Sequence, residues 1–182
     1  MNYNFNDLSK SIHDNAVAKG FYEVINDHTP FEKLMLVVTE VSEAVEAYRN
    51  GKVTTGPLIF KNDSDFEERI KDTIEDELAD AAIRLLDLAG FLKIDLDYVE
   101  KQMENPDSDN IIKAVKSMSF LSQAYTLCAV LTDTDAGLKN SVNAGLGTVF
   151  LLAEAGEIDL MTHIYMKMAY NEHRPYKHNK VC

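Results

Sequence analysis

The sequence predicts an all-α fold, and three observations support this prediction. Residues 34–50 and 75–90 carry apolar side chains at helical spacing, with acidic side chains beside them. Residues 110–131 and 136–155 are rich in apolar side chains and poor in charge, which is typical of buried helices. With 182 residues, 46% of them hydrophobic, the chain can form one domain or two small ones around a sizeable core.

The elements can be predicted in order along the chain. The predicted helices cover residues 5–18, 30–50, 65–90, 96–105, 110–131 and 136–155. Asn6 or Asp7 is expected to cap the first helix, and Pro30 to begin the second, because proline is favoured at the first helical position. Residues 52–64 contain glycine, proline and a short apolar patch, which predicts an ordered loop with the potential to act as a lid.

The helix at residues 75–90 should be buried and carry a charged edge. At 100° per residue, one arc is apolar and a narrow stripe beside it holds Glu77, Asp80, Arg84 and Asp87. Acids crowd at its start, and each close pair at ~4 Å costs about 4 kcal/mol at an effective dielectric of ~20. Either water or a bound cation must screen them.

A second acidic pair favours the cation. In residues 34–50, Glu40 and Glu43 lie beside an apolar face formed by Val37, Val41 and Ala44. Antiparallel packing of the two helices would bring four carboxylates together, those of Glu40, Glu43, Glu77 and Asp80. An oxygen-only site of this kind suits Mg²⁺ or Mn²⁺.

These motifs resemble those of a known family. Glu40-Val-Ser-Glu43, followed by Glu77-Leu-Ala-Asp80, resembles the MazG-like all-α nucleoside triphosphate pyrophosphohydrolases. Residues 167–178, Lys-Met-Ala-Tyr-Asn-Glu-His-Arg-Pro-Tyr-Lys-His, are similar to that family's lysine, asparagine and Arg-Pro segment. Residues 12–21 are also similar to the family, so the resemblance covers roughly the first hundred residues and the last twenty-five.

The resemblance implies a MazG-like helical bundle and a Mg²⁺-dependent enzyme, with Mn²⁺ as a substitute. It would convert a nucleoside or deoxynucleoside triphosphate to the monophosphate and pyrophosphate, using a water molecule activated at the metal. The four carboxylates would bind metal, with Glu43 and Glu77 also catalytic. The implied substrate contacts are Lys167, Asn171, Arg174 and Lys177 for phosphate or sugar, and Asn15 and Phe21 near the base. The chain has Asn179 where the family has glycine, so the tail departs from the family's phosphate-binding pattern at this position.

Composition and charge narrow the functional classes to which the protein can belong. A net charge of −12 and a pI near 4.8 argue against nucleic-acid binding and favour a divalent cation as a partner. The alternative is that the negative charge serves only to keep the protein soluble. Two cysteines provide neither a disulfide framework nor a zinc site, which favours a reducing cytoplasm. The sequence shows no signal peptide, no membrane span and no glycine-rich phosphate loop.

The second half of the chain shows a weak repeat of the first. Aligned with the acidic positions, in the order Glu40, Glu43, Glu77 and Asp80, are Phe120, Gln123, Asn143 and Leu146. On this reading, residues 1–105 form a metal-binding half, and residues 106–182 a degenerate half that carries the C-terminal tail, within one domain. If the similarity is instead an accident of leucine- and alanine-rich composition, a second copy of the chain would complete the site as a homodimer.

Two further alternatives stay open. A non-catalytic helical interaction protein would also carry acidic seams, either solvated or bound to a partner's basic surface. An enzyme of the same type could prefer a deoxynucleotide such as dUTP or dCTP, or a modified nucleotide. The sequence does not choose among bases.

Overall fold

The all-α prediction is confirmed. A computed structural model describes residues 4–26, 29–103, 108–133 and 135–179, and within these ranges the secondary structure is entirely helical. The α-helices are α1 (Phe5–Ala18), α2 (Thr29–Arg49), α3 (Asp63–Arg69), α4 (Ile74–Leu92), α5 (Asp97–Met103), α6 (Ser108–Lys116), α7 (Phe120–Thr132), α8 (Leu138–Ala155) and α9 (Leu160–His173). A short 3-10 helix, Tyr176–Asn179, follows α9.

Helix α4 is the centre of the bundle and packs against α1, α2, α8 and α9. Its predicted apolar arc is buried, with Leu78, Ala81, Leu85 and Leu88 all at most 1% exposed. Alanines fill much of the remaining surface, so neighbouring helices approach α4 from several sides. Helix α4 therefore has little surface left where a charged side chain can reach water.

Two predicted helices are broken in the structure. The helix expected over residues 65–90 is α3 and α4, because Asp72 adopts a left-handed conformation (φ 61°) and Thr73 caps α4 by accepting a hydrogen bond from Asp76 N at 3.2 Å. The helix expected over residues 110–131 is α6 and α7, because the Ser119 hydroxyl accepts from Ser122 N at 3.2 Å. Thr73 and Ser119 therefore act as N-caps within segments that were predicted to be continuous helices.

Smaller boundary errors have similar causes. The N-cap of α1 is Asn4, which accepts a hydrogen bond from Asp7 N at 3.0 Å, and is neither Asn6 nor Asp7. Asn6 instead links α1 to α5, donating to Asp97 Oδ1 at 2.8 Å. The predicted helix over residues 96–105 begins at Asp97, and its expected end lies outside the described residues.

Helices α2 and α4 are antiparallel, the arrangement that would bring the two acidic pairs together. Near the start of α2, Lys33 Nζ lies 3.9 Å from Asp87 Oδ2, which is close to the end of α4. Just beyond the end of α2, Lys52 O accepts a hydrogen bond at 3.2 Å from the backbone N of Ile74, the first residue of α4. Between them, Arg84 Nε lies 2.5 Å from Glu40 Oε1. The acidic pairs of the two helices therefore face each other in the middle of the bundle.

One apolar core joins residues 1–105 to residues 106–182. It contains residues from α1, α2 and α4 together with residues from α7, α8 and α9. Across it, the rings of Phe5 and Phe150 lie 5.0 Å apart between centroids, in an edge-to-face arrangement. No helix in the described part of the chain is long and apolar enough to cross a membrane.

A smaller apolar cluster fixes the loop between α2 and α3. Phe66 and Ile70 pack against Met166 and Tyr170 of α9, and two loop side chains join them. The guanidinium of Arg69 donates to Thr55 O at 2.6 Å and to Pro57 O at 3.0 Å. The ordered loop predicted from the sequence is present, and its action as a lid stays a prediction.

The C-terminal segment folds back on the end of α1. Lys177 N donates to Lys19 O at 3.0 Å, and Lys19 Nζ donates to Arg174 O at 2.7 Å. The ring of Tyr176 lies over Gly20, where a Cβ atom would stand 2.2 Å from a ring carbon. Gly20 also has φ +85°, a conformation that favours glycine, and an added Cβ would require the Tyr176 ring to move.

Replacing Gly20 with alanine should therefore lower the free energy of unfolding and displace the tail. Gly51→Ala is the matched control, because Gly51 also has positive φ (+65°) but has nothing within 4 Å of the added Cβ. The control should cost only the backbone term, about 1 kcal/mol. Thermal unfolding of both variants would measure the difference, and equal losses would show that the tail does not pack on Gly20.

Candidate metal centre

Three carboxylates converge between α2 and α4. Glu40 and Glu43 lie one turn apart on α2, Glu77 faces them from the first turns of α4, and one oxygen from each lies within 4.8 Å of the others. The i, i+3 spacing puts both α2 carboxylates on one side of the helix, and antiparallel packing sets them against Glu77. All the donor atoms are carboxylate oxygens, the ligand type that hard divalent cations prefer.

The cluster runs from the core to the surface. Glu40 and Glu77 are each 4% exposed, whereas Glu43 is exposed. Burial, together with the nearby charges of Asp80 and Asp76, raises the pKa of Glu77 to about 9. Burial and Asp80 also raise the pKa of Glu40, against the opposing effect of Arg84. Without a cation, the buried carboxyls favour the protonated state.

Asp80, the fourth predicted ligand, is bound to a lysine. Lys167 Nζ lies 2.7 Å from Asp80 Oδ2, and it donates to the two oxygens of Asp76 at 3.0 and 2.9 Å. Asp80 is close enough to Glu77 and Glu40 to raise both their pKa values, but it lies outside the group of three converging oxygens. The structure therefore brings together three of the four predicted ligands and sets the fourth beside them.

Lys167 is buried inside the bundle, with an exposed fraction of 4%. Burial alone would lower the pKa of its ammonium, but the carboxylates of Asp80 and Asp76 raise it overall, so Lys167 stays charged. The resemblance implied that Lys167 contacts phosphate. In the structure its donors are directed to two carboxylates, and Asp76 was not singled out from the sequence.

Arg84 is a second positive group in this region. Its Nε donates to Glu40 Oε1 at 2.5 Å, which fixes one oxygen of that carboxylate. The sequence placed Arg84 in the charged stripe of α4 without giving it a role. Its spacing of seven residues from Glu77, about two helical turns, was the signal that it lies on the same face.

Apart from Lys167, the implied substrate contacts lie near the end of α1, or at the end of α9 and in the segment that follows it. Phe21 lies next to the C-terminal segment, with its ring 5.2 Å from that of His178, and Lys177 lies 3.1 Å from Glu23. Arg174 and Asn171 lie together on the last turn of α9 and just beyond, where Arg174 Nη1 donates to Asn171 Oδ1 at 3.4 Å. Asn15, on the last turns of α1, is partly buried, and its carbonyl accepts from Lys19 N at 2.9 Å.

A second polar group surrounds Asp87, farther along α4. Its carboxylate lies 2.9 Å from His13 Nδ1, accepts from the Tyr22 hydroxyl at 2.8 Å and lies 3.9 Å from Lys33 Nζ. The Lys33 ammonium stands 5.5 Å from the centre of the Phe21 ring. The sequence placed Asp87 in the charged stripe but missed these partners, because they come from α1, from α2 and from the segment between them.

Comparison with protein-family models, with curated proteins and with solved structures found no match to this chain.

Metal-free protein should lose stability as pH rises through the neutral range. The folded chain keeps a proton on Glu77 up to about pH 9, whereas the unfolded chain releases it near pH ~4.3. Since the folded state binds more protons between these values, its stability falls with rising pH. Melting temperatures in EDTA at several pH values would measure the slope, which Glu77→Gln should flatten and Glu46→Gln, at an exposed position, should not.

Lys167→Met should strongly destabilise the protein, because it leaves the buried carboxylate of Asp76 without its cation. Removing one partner of a buried pair costs about 3–5 kcal/mol. Combining it with Asp76→Asn should recover part of this loss, while Lys10→Met, which breaks an exposed pair with Asp14, should leave melting unchanged. If Lys167→Met melts like the parent protein, the buried ion pairs described above are wrong.

Proposed function

We propose that the protein is a Mg²⁺-dependent nucleoside triphosphate pyrophosphohydrolase. The observation that carries the proposal is the convergence of Glu40, Glu43 and Glu77, whose oxygens lie within 4.8 Å of one another on two antiparallel helices. Two of these carboxyls are buried with raised pKa values, and a cation would relieve their mutual repulsion. The donor set fits Mg²⁺, with Mn²⁺ as a substitute.

Glu40, Glu43 and Glu77 would hold the metal, with Asp80 available as a further ligand. When bound, the cation supplies neutralisation of triphosphate charge and lowers the pKa of a coordinated water. Arg84 holds Glu40 by donating to Oε1, and so fixes the position of this carboxylate in the cluster. Lys167 balances Asp76 and Asp80, so the acids of α4 can coexist with an anionic substrate.

The exposed carboxylate of the cluster is the best placed to handle the proton of the attacking water. Glu43 reaches solvent, whereas Glu40 and Glu77 are almost fully buried. Glu43 would orient this water and accept its proton, while Glu77 would help to hold the cation that neutralises the substrate phosphates. Attack on the α–β anhydride would yield the nucleoside monophosphate and pyrophosphate.

A chain of net charge −12 must offer local positive charge to bind a triphosphate. Arg174 and Lys177, at the end of α9 and in the following segment, are proposed to supply it, with Asn171 bonding a phosphate or sugar oxygen. Phe21 and Asn15 are proposed to lie near the base. The packing of the C-terminal segment on the end of α1 supports this, because it puts Lys177 and Phe21 in one region.

We also propose that residues 106–182 repeat residues 1–105 in degenerate form. The packing pairs support it: α4 packs with α1, α2 and α9, while α8 packs with α6, α7 and α5. Helices α4 and α8 also pack on each other, as do α2 and α7, as expected for a two-fold relation between halves. One chain would then be a MazG-like bundle with one metal cluster, and a homodimer would not be needed to complete it.

The aligned positions in the second half have lost their metal-binding chemistry. Leu146, aligned with Asp80, is fully buried in the core. Gln123, aligned with Glu43, donates to Val115 O at 2.9 Å, and Asn143, aligned with Glu77, donates to Lys139 O at 3.0 Å. Phe120, aligned with Glu40, packs against Tyr48 with 5.1 Å between ring centroids, the two rings tilted by 30°.

Glu43→Gln should abolish pyrophosphate release, because it removes both a metal ligand and the proposed base, and it should leave melting in EDTA unchanged or slightly raised. The matched control is Glu46→Gln on the same helix, where Glu46 is exposed and pairs with Arg49. Both variants would be assayed with Mg²⁺ against a panel of ribo- and deoxynucleoside triphosphates, including dUTP and dCTP. The assay would measure the release of monophosphate and pyrophosphate.

Near-native turnover by Glu43→Gln would overturn the proposed site. The non-catalytic alternative makes the opposite forecast for the parent protein, namely no hydrolysis of any nucleotide and melting that is indifferent to Mg²⁺. Stabilisation by one or two equivalents of Mg²⁺, absent from Glu43→Gln, would reject that alternative.

A further inference from the structure

The ammonium of Lys167 lies where carboxylate oxygens surround it, as they would surround a metal ion. Its Nζ lies 2.7 Å from Asp80 Oδ2 and donates to the two oxygens of Asp76 at 3.0 and 2.9 Å. An ammonium has three N–H groups, one for each of these oxygens. The side chain is 4% exposed, and the centre of the Phe66 ring lies 5.6 Å from the nitrogen. The donors of Lys167 are therefore used within the protein, and none is left for a substrate phosphate.

Asp80 connects this lysine to the three converging carboxylates. It lies one helical turn beyond Glu77 on α4, and its negative charge acts on both Glu77 and Glu40. The positive charge of Lys167 also reaches Glu77, where it opposes the effect of the acids. In enzymes that use two metal ions, the ions lie about 4 Å apart. A second ion beside the cluster would therefore compete with Lys167 for Asp80.

The fold keeps Lys167 in this position. Asp76 is 1% exposed, so its carboxylate would be a buried charge without a cation if the lysine turned away. Asp72 N donates to Asp76 at 3.0 Å, which fixes that carboxylate from the backbone side. Helix α9, which carries Lys167, packs directly on α4. An ion that displaced Lys167 from Asp80 would have to break these contacts, and an ion that did not would be repelled by the ammonium.

We propose that the nucleotide-free protein binds one divalent cation at the acidic cluster, and that Lys167 takes the place of a second. This inference rests on the proposed function, because it concerns the same metal centre. Lys167 is a positioning residue: it holds Asp76 and Asp80, and its fixed charge limits the number of ions. The positive charge that a second ion would bring is then part of the fold and does not depend on the concentration of free metal.

Titration of the full chain with Mn²⁺, without nucleotide, tests the number of ions. Calorimetry gives the stoichiometry, and electron paramagnetic resonance shows whether two bound Mn²⁺ ions lie close enough for their spins to couple. The parent protein should bind one equivalent, with the spectrum of an isolated ion. Lys167→Ala removes the ammonium and leaves space for a hydrated ion, so it should bind two equivalents that couple to each other. Mn²⁺ should also raise the melting temperature of this variant more than that of the parent, because the second ion neutralises Asp76 and Asp80.

Lys33→Ala is the matched control. The Lys33 side chain is 14% exposed, and its ammonium lies 3.9 Å from Asp87, another acid of α4. The control removes the same charge from the chain, so it raises the general attraction for cations equally, but it should still bind one ion. Two coupled ions in the parent, or a Lys167→Ala variant that Mn²⁺ neither stabilises nor loads with a second ion, would overturn the inference and leave the metal centre standing. A parent protein that binds no Mn²⁺ would instead reject the metal centre itself, and this inference with it.

Discussion

The structure depends on neutralising the acids of a buried helix. Helix α4 contacts four other helices and carries Asp76, Glu77 and Asp87 at 1%, 4% and 8% exposure. Ionised carboxylates cannot be buried alone, so each requires a proton, a cation or hydrogen-bond donors. Lys167 provides a cation for Asp76, and a histidine, a tyrosine and a lysine surround Asp87. Glu77 lacks such a partner among the described residues, and burial together with the charges of Asp80 and Asp76 raises its pKa to about 9.

This difference distinguishes structural acids from a candidate site. Asp76 also accepts a hydrogen bond from Asp72 N at 3.0 Å, so its carboxylate joins the start of α4 to α9. Glu77 faces two further carboxylates, one of them open to solvent. A fold gains nothing from three converging acids unless something positive binds them. The proposed metal chemistry follows from that imbalance, while the neighbouring ion pairs stabilise the helix that carries it.

The features that depend on side-chain periodicity could be predicted from the sequence. The apolar arc of α4 and the acidic edges of α2 and α4 follow from side-chain spacing, and the antiparallel packing of the two helices then brings Glu40, Glu43 and Glu77 together. The lysine that pairs with Asp76 and Asp80 could not be predicted from local spacing. Lys167 lies 91 residues from Asp76 and reaches it only after α9 has packed on α4. The broken helices were missed for a local reason: Thr73 and Ser119 can cap a helix or lie within one, and neighbouring contacts decide between these.

The position of Lys167 along the chain also constrains how the protein is made. The acids of α4 leave the ribosome about 90 residues before the lysine that neutralises them, since synthesis proceeds from the N-terminus. During that interval α1, α2 and α4 can be present together, but the carboxylate of Asp76 has no ammonium beside it. The early helices should therefore remain loosely packed and hydrated around the start of α4. Completion of α9 would then close the core, which makes folding of this bundle a late event in translation.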